Sequence, residues 1–302
     1  MNVLVSSYQE MVARFKKIKK IGAGSYGDVY LIREIKTYNE FALKVIPLSK
    51  LNNGKPHDLI AYEKINQHPN IVTLYSKFSD QTNFYQIFEY CPEGDLANYI
   101  NTHGLLSIED AVDVFRQIVE AVHYLHSIGV AHLDLKPENI LVSKFPIVKV
   151  GDFGLSHIFS PGEKISEFCG TMHFSAPECL CNIKYDAPKA DIWSLGIILY
   201  YLIVGKTPWT SNDRNIMMKQ IVSGYVFIPE YLIRSEIDLL RQILKVNPTE
   251  RISTESILFH PFMTIRRSST QIRQKSKSPI SMPSIRSSRK IFSPSVKQYT
   301  FE

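Results

Sequence analysis

Cysteine is scarce and scattered. Cys91, Cys169, Cys179 and Cys181 are the four in 302 residues, and only the last two are near neighbours. That excludes a disulfide-framed fold, and no second pair at metal-binding spacing accompanies Cys179 and Cys181 to make a zinc site. The four thiols are read as small buried or loop residues of a reducing compartment.

Long apolar runs are missing as well. No stretch of eighteen apolar residues is present, and the opening Met1-Asn2-Val3-Leu4-Val5-Ser6 has neither a basic region nor a long apolar segment. A transmembrane segment and a secretory signal are therefore not expected, which points to the cytoplasm or nucleus. Acid is nearly absent from the C-terminal stretch: Thr264 to Glu302 holds nine Lys or Arg and one carboxylate, a net +8, so the first 263 residues carry −2. The basic balance belongs to this stretch, and nucleic acid is not expected as a partner. With ten serines, three prolines and few large apolar residues, residues 263–302 are expected to form a disordered basic tail. A docking, autoinhibitory or anionic-surface element is the other reading.

Apolar residues make up 44% of the chain, enough for one sizeable core or two small lobes sharing a cleft. After an N-terminal extension, 1–14, the alternation has sheet period. Phe15 to Ile21, Gly27 to Ile32, Phe41 to Ile46, Ile71 to Phe78 and Asn83 to Glu89 read as strands, with a helix from Lys55 to Asn66 between the third and fourth. Beyond Gly94 the rhythm is helical. Ile108 to Ser127 is amphipathic, Asp191 to Val204 is apolar almost throughout, and further helices are expected over Arg214 to Ser223, Ser235 to Val246 and Thr254 to Phe259. The fold class is thus α+β and bilobal: a small antiparallel-sheet lobe over 15–91, a helical lobe over 92–262, and a cleft where they meet.

The chemistry-bearing residues fall at that junction. Gly22-Ala23-Gly24-Ser25-Tyr26-Gly27 joins two strands, and its glycines let backbone approach phosphates closely. A dinucleotide fold uses similar glycines, but there a helix follows, and here a strand does. Seventeen residues past Gly27, Lys44 lies in the apolar strand Ala42-Leu43-Lys44-Val45, where an ammonium needs a phosphate or carboxylate partner. Downstream, His132-Leu133-Asp134-Leu135-Lys136-Pro137-Glu138-Asn139 is followed by Asp152-Phe153-Gly154. Asp134, Asn139 and Asp152 offer oxygen without thiolate, the donor set of a hard cation.

These segments, taken in order with Ala176-Pro177-Glu178, the run Asp191-Ile192-Trp193-Ser194-Leu195-Gly196, and Arg251, resemble the eukaryotic protein kinases over Phe15 to Phe262. Asp152 to Glu178 is most similar to the calcium/calmodulin-dependent and AMP-activated branch, and Lys136-Pro137-Glu138-Asn139 resembles serine/threonine rather than tyrosine kinases. The resemblance implies a magnesium- and ATP-dependent transferase acting on protein Ser/Thr hydroxyls. By it, Gly22, Ala23, Gly24, Ser25, Tyr26 and Gly27 cover the phosphates and Lys44 holds the α and β pair. Ile21, Val29, Ala42 and Leu141 sandwich adenine below the gating position Phe88, and Glu89 and Cys91 supply hinge hydrogen bonds. Asp134 takes the substrate proton, Lys136 balances charge on the moving phosphoryl group, and Asn139 and Asp152 bind magnesium. Thr171 contacts Asp134, Glu178 pairs with Arg251, Asp191 holds the catalytic loop, and His132 lies beneath Phe153. Glu138 and Asp95 imply protein substrates with basic residues before the Ser/Thr. The tail, with Arg266-Arg267-Ser268-Ser269 and Arg286-Ser287-Ser288, is then a potential intramolecular substrate.

Two departures matter. Counting back nine from His68-Pro69, where the family's lysine-pairing glutamate stands, gives Leu59. A shift of one makes Asp58 the partner, Tyr62 the spine residue and Ile65 the next apolar contact, at i, i+4 and i+7 on one face. Leu133 replaces the arginine that usually precedes the catalytic aspartate, and Glu167 stands at the position of the activating phosphothreonine. Control by activation-loop phosphorylation is therefore not expected. The same departures favour the alternative, a catalytically weak kinase-like binding or scaffold protein.

Overall fold

The computed structural model describes residues 4–23, 27–51, 56–166, 170–181 and 183–264. Gly24, Ser25, Tyr26, Glu167, Cys169 and the basic tail from residue 265 onward lie outside the described residues.

Ser7 caps the first helix, α1 (Tyr8–Arg14), by accepting the Glu10 N–H. Leu4 and Val5 donate their backbone N–H groups to Ser76 Oγ at 2.9 and 3.0 Å, and Val5 and Met11 are buried with Phe15, Ile32, Leu43, Phe78 and Ile87. The segment thus lies against the small lobe's sheet. That sheet has five strands, β1 (Phe15–Ala23), β2 (Asp28–Glu34), β3 (Glu40–Pro47), β4 (Leu74–Ser79) and β5 (Asn83–Glu89), in the antiparallel order β1-β2-β3-β5-β4. The fourth strand starts later than its apolar pattern suggested, because Ile71 instead bridges in parallel to Val150 in the helical lobe.

Lys55, where a helix to Asn66 is expected to start, lies outside the described residues, and the rest of that expectation is corrected to α2 (Asp58–Tyr62). The Leu59 N–H donates to Pro56 O and the Ile60 N–H to His57 O, so the segment enters through tight turns. After Tyr62 the bonding decays into turns, with both Lys64 N–H and Ile65 N–H donating to Ala61 O.

The helical lobe comprises α3 (Leu96–His103), α4 (Ile108–Ser127), β6 (Val130–Ala131), the hairpin β7 (Ile140–Lys144) and β8 (Ile147–Val150), β9 (His157–Ile158), α5 (Pro177–Leu180), α6 (Ala187–Val204), α7 (Arg214–Ser223), α8 (Arg234–Ile243) and α9 (Thr254–Leu258). Helix α4 buries one stripe, Ala111, Val114, Phe115, Ile118, Val122 and Leu125, against a core that includes Trp193, Leu195, Ile198 and Leu202 of α6. By length and composition α6 could cross a membrane, yet nearly all its side chains are buried in this lobe, Asp191 among them. Gly205 ends it in left-handed backbone at φ 86°, a conformation open to glycine without cost.

Candidate active site

Lys44 and Asp58 meet across the small lobe. Lys44 Nζ donates to Asp58 Oδ2 at 2.8 Å, with the carboxylate buried behind it. The structure adopts the one-residue shift: Tyr62 packs edge-on to Phe153 at a centroid distance of 5.1 Å, and Ile65 lies against the core. Glu63 instead pairs with Lys77 at the surface at 3.1 Å. Burial, with the charges of Asp58 and Asp152 adding to it, holds the Tyr62 phenol well above its usual pKa, so it stays neutral. The second Asp58 oxygen accepts from Gln86 Nε2 at 3.0 Å, a contact the sequence reading missed. Its signal was an amide within the apolar run Phe84-Tyr85-Gln86-Ile87-Phe88.

Below the cleft, Asp134 is the hub of the catalytic loop. Oδ1 accepts from Thr171 Oγ1 at 2.9 Å, and Oδ2 accepts from Lys136 Nζ at 2.6 Å and from Asn139 Nδ2 at 3.0 Å. Lys136 Nζ also donates to Thr171 Oγ1 at 2.8 Å. A carboxylate held by three donors is fixed in orientation, and an ammonium beside it could balance negative charge on a group brought to this place.

Asp191 fixes the loop from beneath. It accepts the His132 and Leu133 backbone N–H groups, each at 2.8 Å, and lies 3.0 Å from His126 Nε2. Leu133 and Asp152 adopt left-handed backbone at φ 62° and 56°. Such conformations cost on the order of 1–3 kcal/mol each and persist where surrounding bonds over-determine them. His132 is fully buried and stacks obliquely on Phe153 at 5.1 Å. Its Nδ1 accepts the Asp134 N–H at 3.2 Å, which assigns the proton to Nε2, donating to Gly151 O at 2.9 Å. The histidine is thus committed to structure.

Asn139 and Asp152 come together through the β7–β8 hairpin, since the Gly151 N–H donates to Asn139 O at 2.9 Å. The Asn139 amide is oriented by its Nδ2, which donates to Asp134 O at 2.7 Å and to Oδ2. Among the described residues no hydrogen bond engages its Oδ1. Asp152 is exposed. No group of three or more His, Cys, Asp or Glu among the described residues forms a complete metal cage. One amide oxygen and one carboxylate fit magnesium, which takes few protein ligands and completes its shell with phosphate and water. Bound there, the ion would neutralise phosphate charge.

Ile21, Val29, Ala42 and Leu141 are at least partly exposed, and Cys91 is buried in the connector between lobes. Burial pushes the Cys91 thiol up to about 12, so it is an unreactive thiol. Gly27 sits so close to β3 that a Cβ there would collide with Val45 O, so only glycine fits at this position.

Glu138 is crowded by neighbouring atoms although its surface reaches solvent. That crowding, with the charges of Asp95 and Asp134, pushes its carboxyl above the ordinary range, against backbone hydrogen bonding and Lys136. Asp95 Oδ1 caps α3 by accepting the Asn98 N–H at 2.8 Å.

The segment from Asp152 to Glu178 is anchored at several points. Ile165 and Tyr185 exchange two backbone hydrogen bonds at 3.0 and 2.8 Å. Gly170, at φ 109°, lies against Leu133 O, where a Cβ would approach to 2.6 Å. Leu133 packs its side chain on the apolar core, where an arginine would offer a phosphate anchor. Farther down, Arg251 holds both oxygens of Glu178 at 2.6 Å in a buried pair.

A five-stranded lobe over a helical lobe, with a lysine–carboxylate pair above and an aspartate–lysine–asparagine loop below, defines a phosphotransferase of the kinase class. The family model described as protein kinase domain matches residues 15–263, and the chain belongs to that family. It is 35% identical over 263 residues to a Dictyostelium discoideum protein named probable serine/threonine-protein kinase MARK-A, covering 85% of this chain and 24% of that protein. It is 34% identical over 252 residues to sperm motility kinase 2B of Mus musculus, covering 83% of this chain and 52% of that one. The chain thus spans about a quarter and about half the length of these two relatives.

Proposed function

We propose that this chain is an active serine/threonine protein kinase that moves the γ-phosphoryl group of magnesium-bound ATP to a protein hydroxyl. The carrying observation is the bond set of Asp134: Thr171, Lys136 and Asn139 all converge on one carboxylate. A scaffold or pseudokinase has no use for a base so tightly oriented. Lys44 would grip the ATP phosphates, and Asn139 and Asp152 would hold the magnesium. Incubation with γ-labelled ATP and a mixed Ser, Thr and Tyr peptide library should place label on Ser and Thr. Label on Tyr, or none, would refute the reading.

Protein substrates with basic residues before the acceptor fit the acidic pair Glu138 and Asp95, and the basic tail is a candidate for the same place within the chain. Because the Glu138 pKa is raised, acidification protonates it before an ordinary carboxylate and removes its charge. KM for an arginine-containing peptide should therefore rise as pH falls, and Glu138→Gln should have a high KM at every pH. A chain ending at Met263 should keep or gain activity toward that peptide, since a tethered competitor is removed. A KM indifferent to Glu138→Gln would contradict this assignment.

A further inference from the structure

Gln86 is fully buried in β5, directly opposite Lys44 of β3 and Lys77 of β4. Its Nε2 takes Asp58 Oδ1 at 3.0 Å while Lys44 takes Oδ2 at 2.8 Å, so the two oxygens are held by two adjacent strands. Its Oε1 is one of two buried side-chain polar atoms among the described residues with no hydrogen-bond partner. Leaving a buried acceptor unmet is costly, and an apolar side chain of the same length would not incur that cost. The bond to Asp58 gives this amide a reason to be there.

We infer that Gln86 is a positioning residue for phosphoryl transfer, clamping the short Asp58 carboxylate in the orientation that pairs with Lys44. The inference rests on the kinase reading above. An aspartate carboxylate rotates broadly about its last torsion, so one hydrogen bond fixes an oxygen and two fix the plane. Asp58 is also the first residue of α2, a helix of five residues whose N-terminus has no side-chain cap. Little in the helix itself anchors it. Gln86 supplies the lateral hold that a longer carboxylate, reaching Lys44 by its own length, would not need.

The test compares the full chain with Gln86→Met, Asp58→Glu and the double substitution. Gln86→Met should lower kcat about tenfold or more while KM for the peptide stays within about twofold, because the loss falls on Lys44 and not on the peptide site. Asp58→Glu alone should also lose activity, the extra methylene crowding the amide. Together they should recover kcat to within about threefold of the parent, a non-additivity that marks direct coupling. Melting of the nucleotide-free proteins should show the same pattern, with the double variant above Gln86→Met. If Gln86→Met does not fold, Gln86→Asn, whose amide is drawn back by one methylene, takes its place in the same comparison. Parent-like kcat and melting for Gln86→Met, or a double variant no better than it, would overturn the inference. A parent chain that transfers no phosphate would refute the activity reading separately, and the coupling would still be read from the melting series.

Discussion

Replacing Arg251 by alanine is expected to destabilise the folded chain by about 3–5 kcal/mol, because it leaves the Glu178 carboxylate buried without its counter-charge. The guanidinium donates to both Glu178 oxygens, to Lys189 O at 2.7 Å, to Lys245 O at 2.8 Å and to Val246 O at 3.2 Å, and lies 5.2 Å from the Trp193 ring centre. One side chain thereby ties α5 to α6 and to the turn after α8. Lysine has no planar fork and should recover little of the loss. Denaturant unfolding measures it directly, and a change below about 1 kcal/mol, the size of an exposed pair, would show that the linkage is not the brace its geometry suggests.

Asp134→Asn should lower kcat by about 10²–10⁴, the usual contribution of a positioned general base. The amide is nearly isosteric and Asn139 still donates to Asp134 O, so the loop should persist and the affinity for magnesium-ATP should change only a few-fold. The loss would then lie in the chemical step. A comparable fall in nucleotide affinity would instead mean that the substitution had collapsed the loop.

Most of the two-lobed arrangement was legible because each segment carries its own period. Helix α4 runs from Ile108 to Ser127 and α7 from Arg214 to Ser223, the limits their patterns indicate. The pairing of Asp58 with Lys44 was also legible, because a shift of one residue from Leu59 puts a carboxylate on the same i, i+4, i+7 face as the apolar Tyr62 and Ile65. Gln86 was not, since its partner is 28 residues away and strand alternation says only that position 86 faces inward. The length of α2 was misread because apolar spacing continues to Ile65, while the backbone bonds of Lys64 and Ile65 have already closed into turns on Ala61 O. Burial of Val5 and Met11 was equally hidden, because a short apolar stretch does not reveal which sheet face will receive it.

The most direct measurement is single-turnover transfer from magnesium-ATP to a basic serine peptide by protein made without other kinases and treated with phosphatase. Leu133 packs on the apolar core, Ile165 and Thr171 are hydrogen-bonded without phosphate, and Gly170 lies against Leu133 O. The phosphatase-treated chain should therefore retain most of its kcat/KM and exceed Asp134→Asn by about two orders of magnitude or more. A rate no higher than that of Asp134→Asn, or a loss of about tenfold (1.4 kcal/mol) restored by phosphorylation between Leu155 and Thr171, would contradict a site built ready to act.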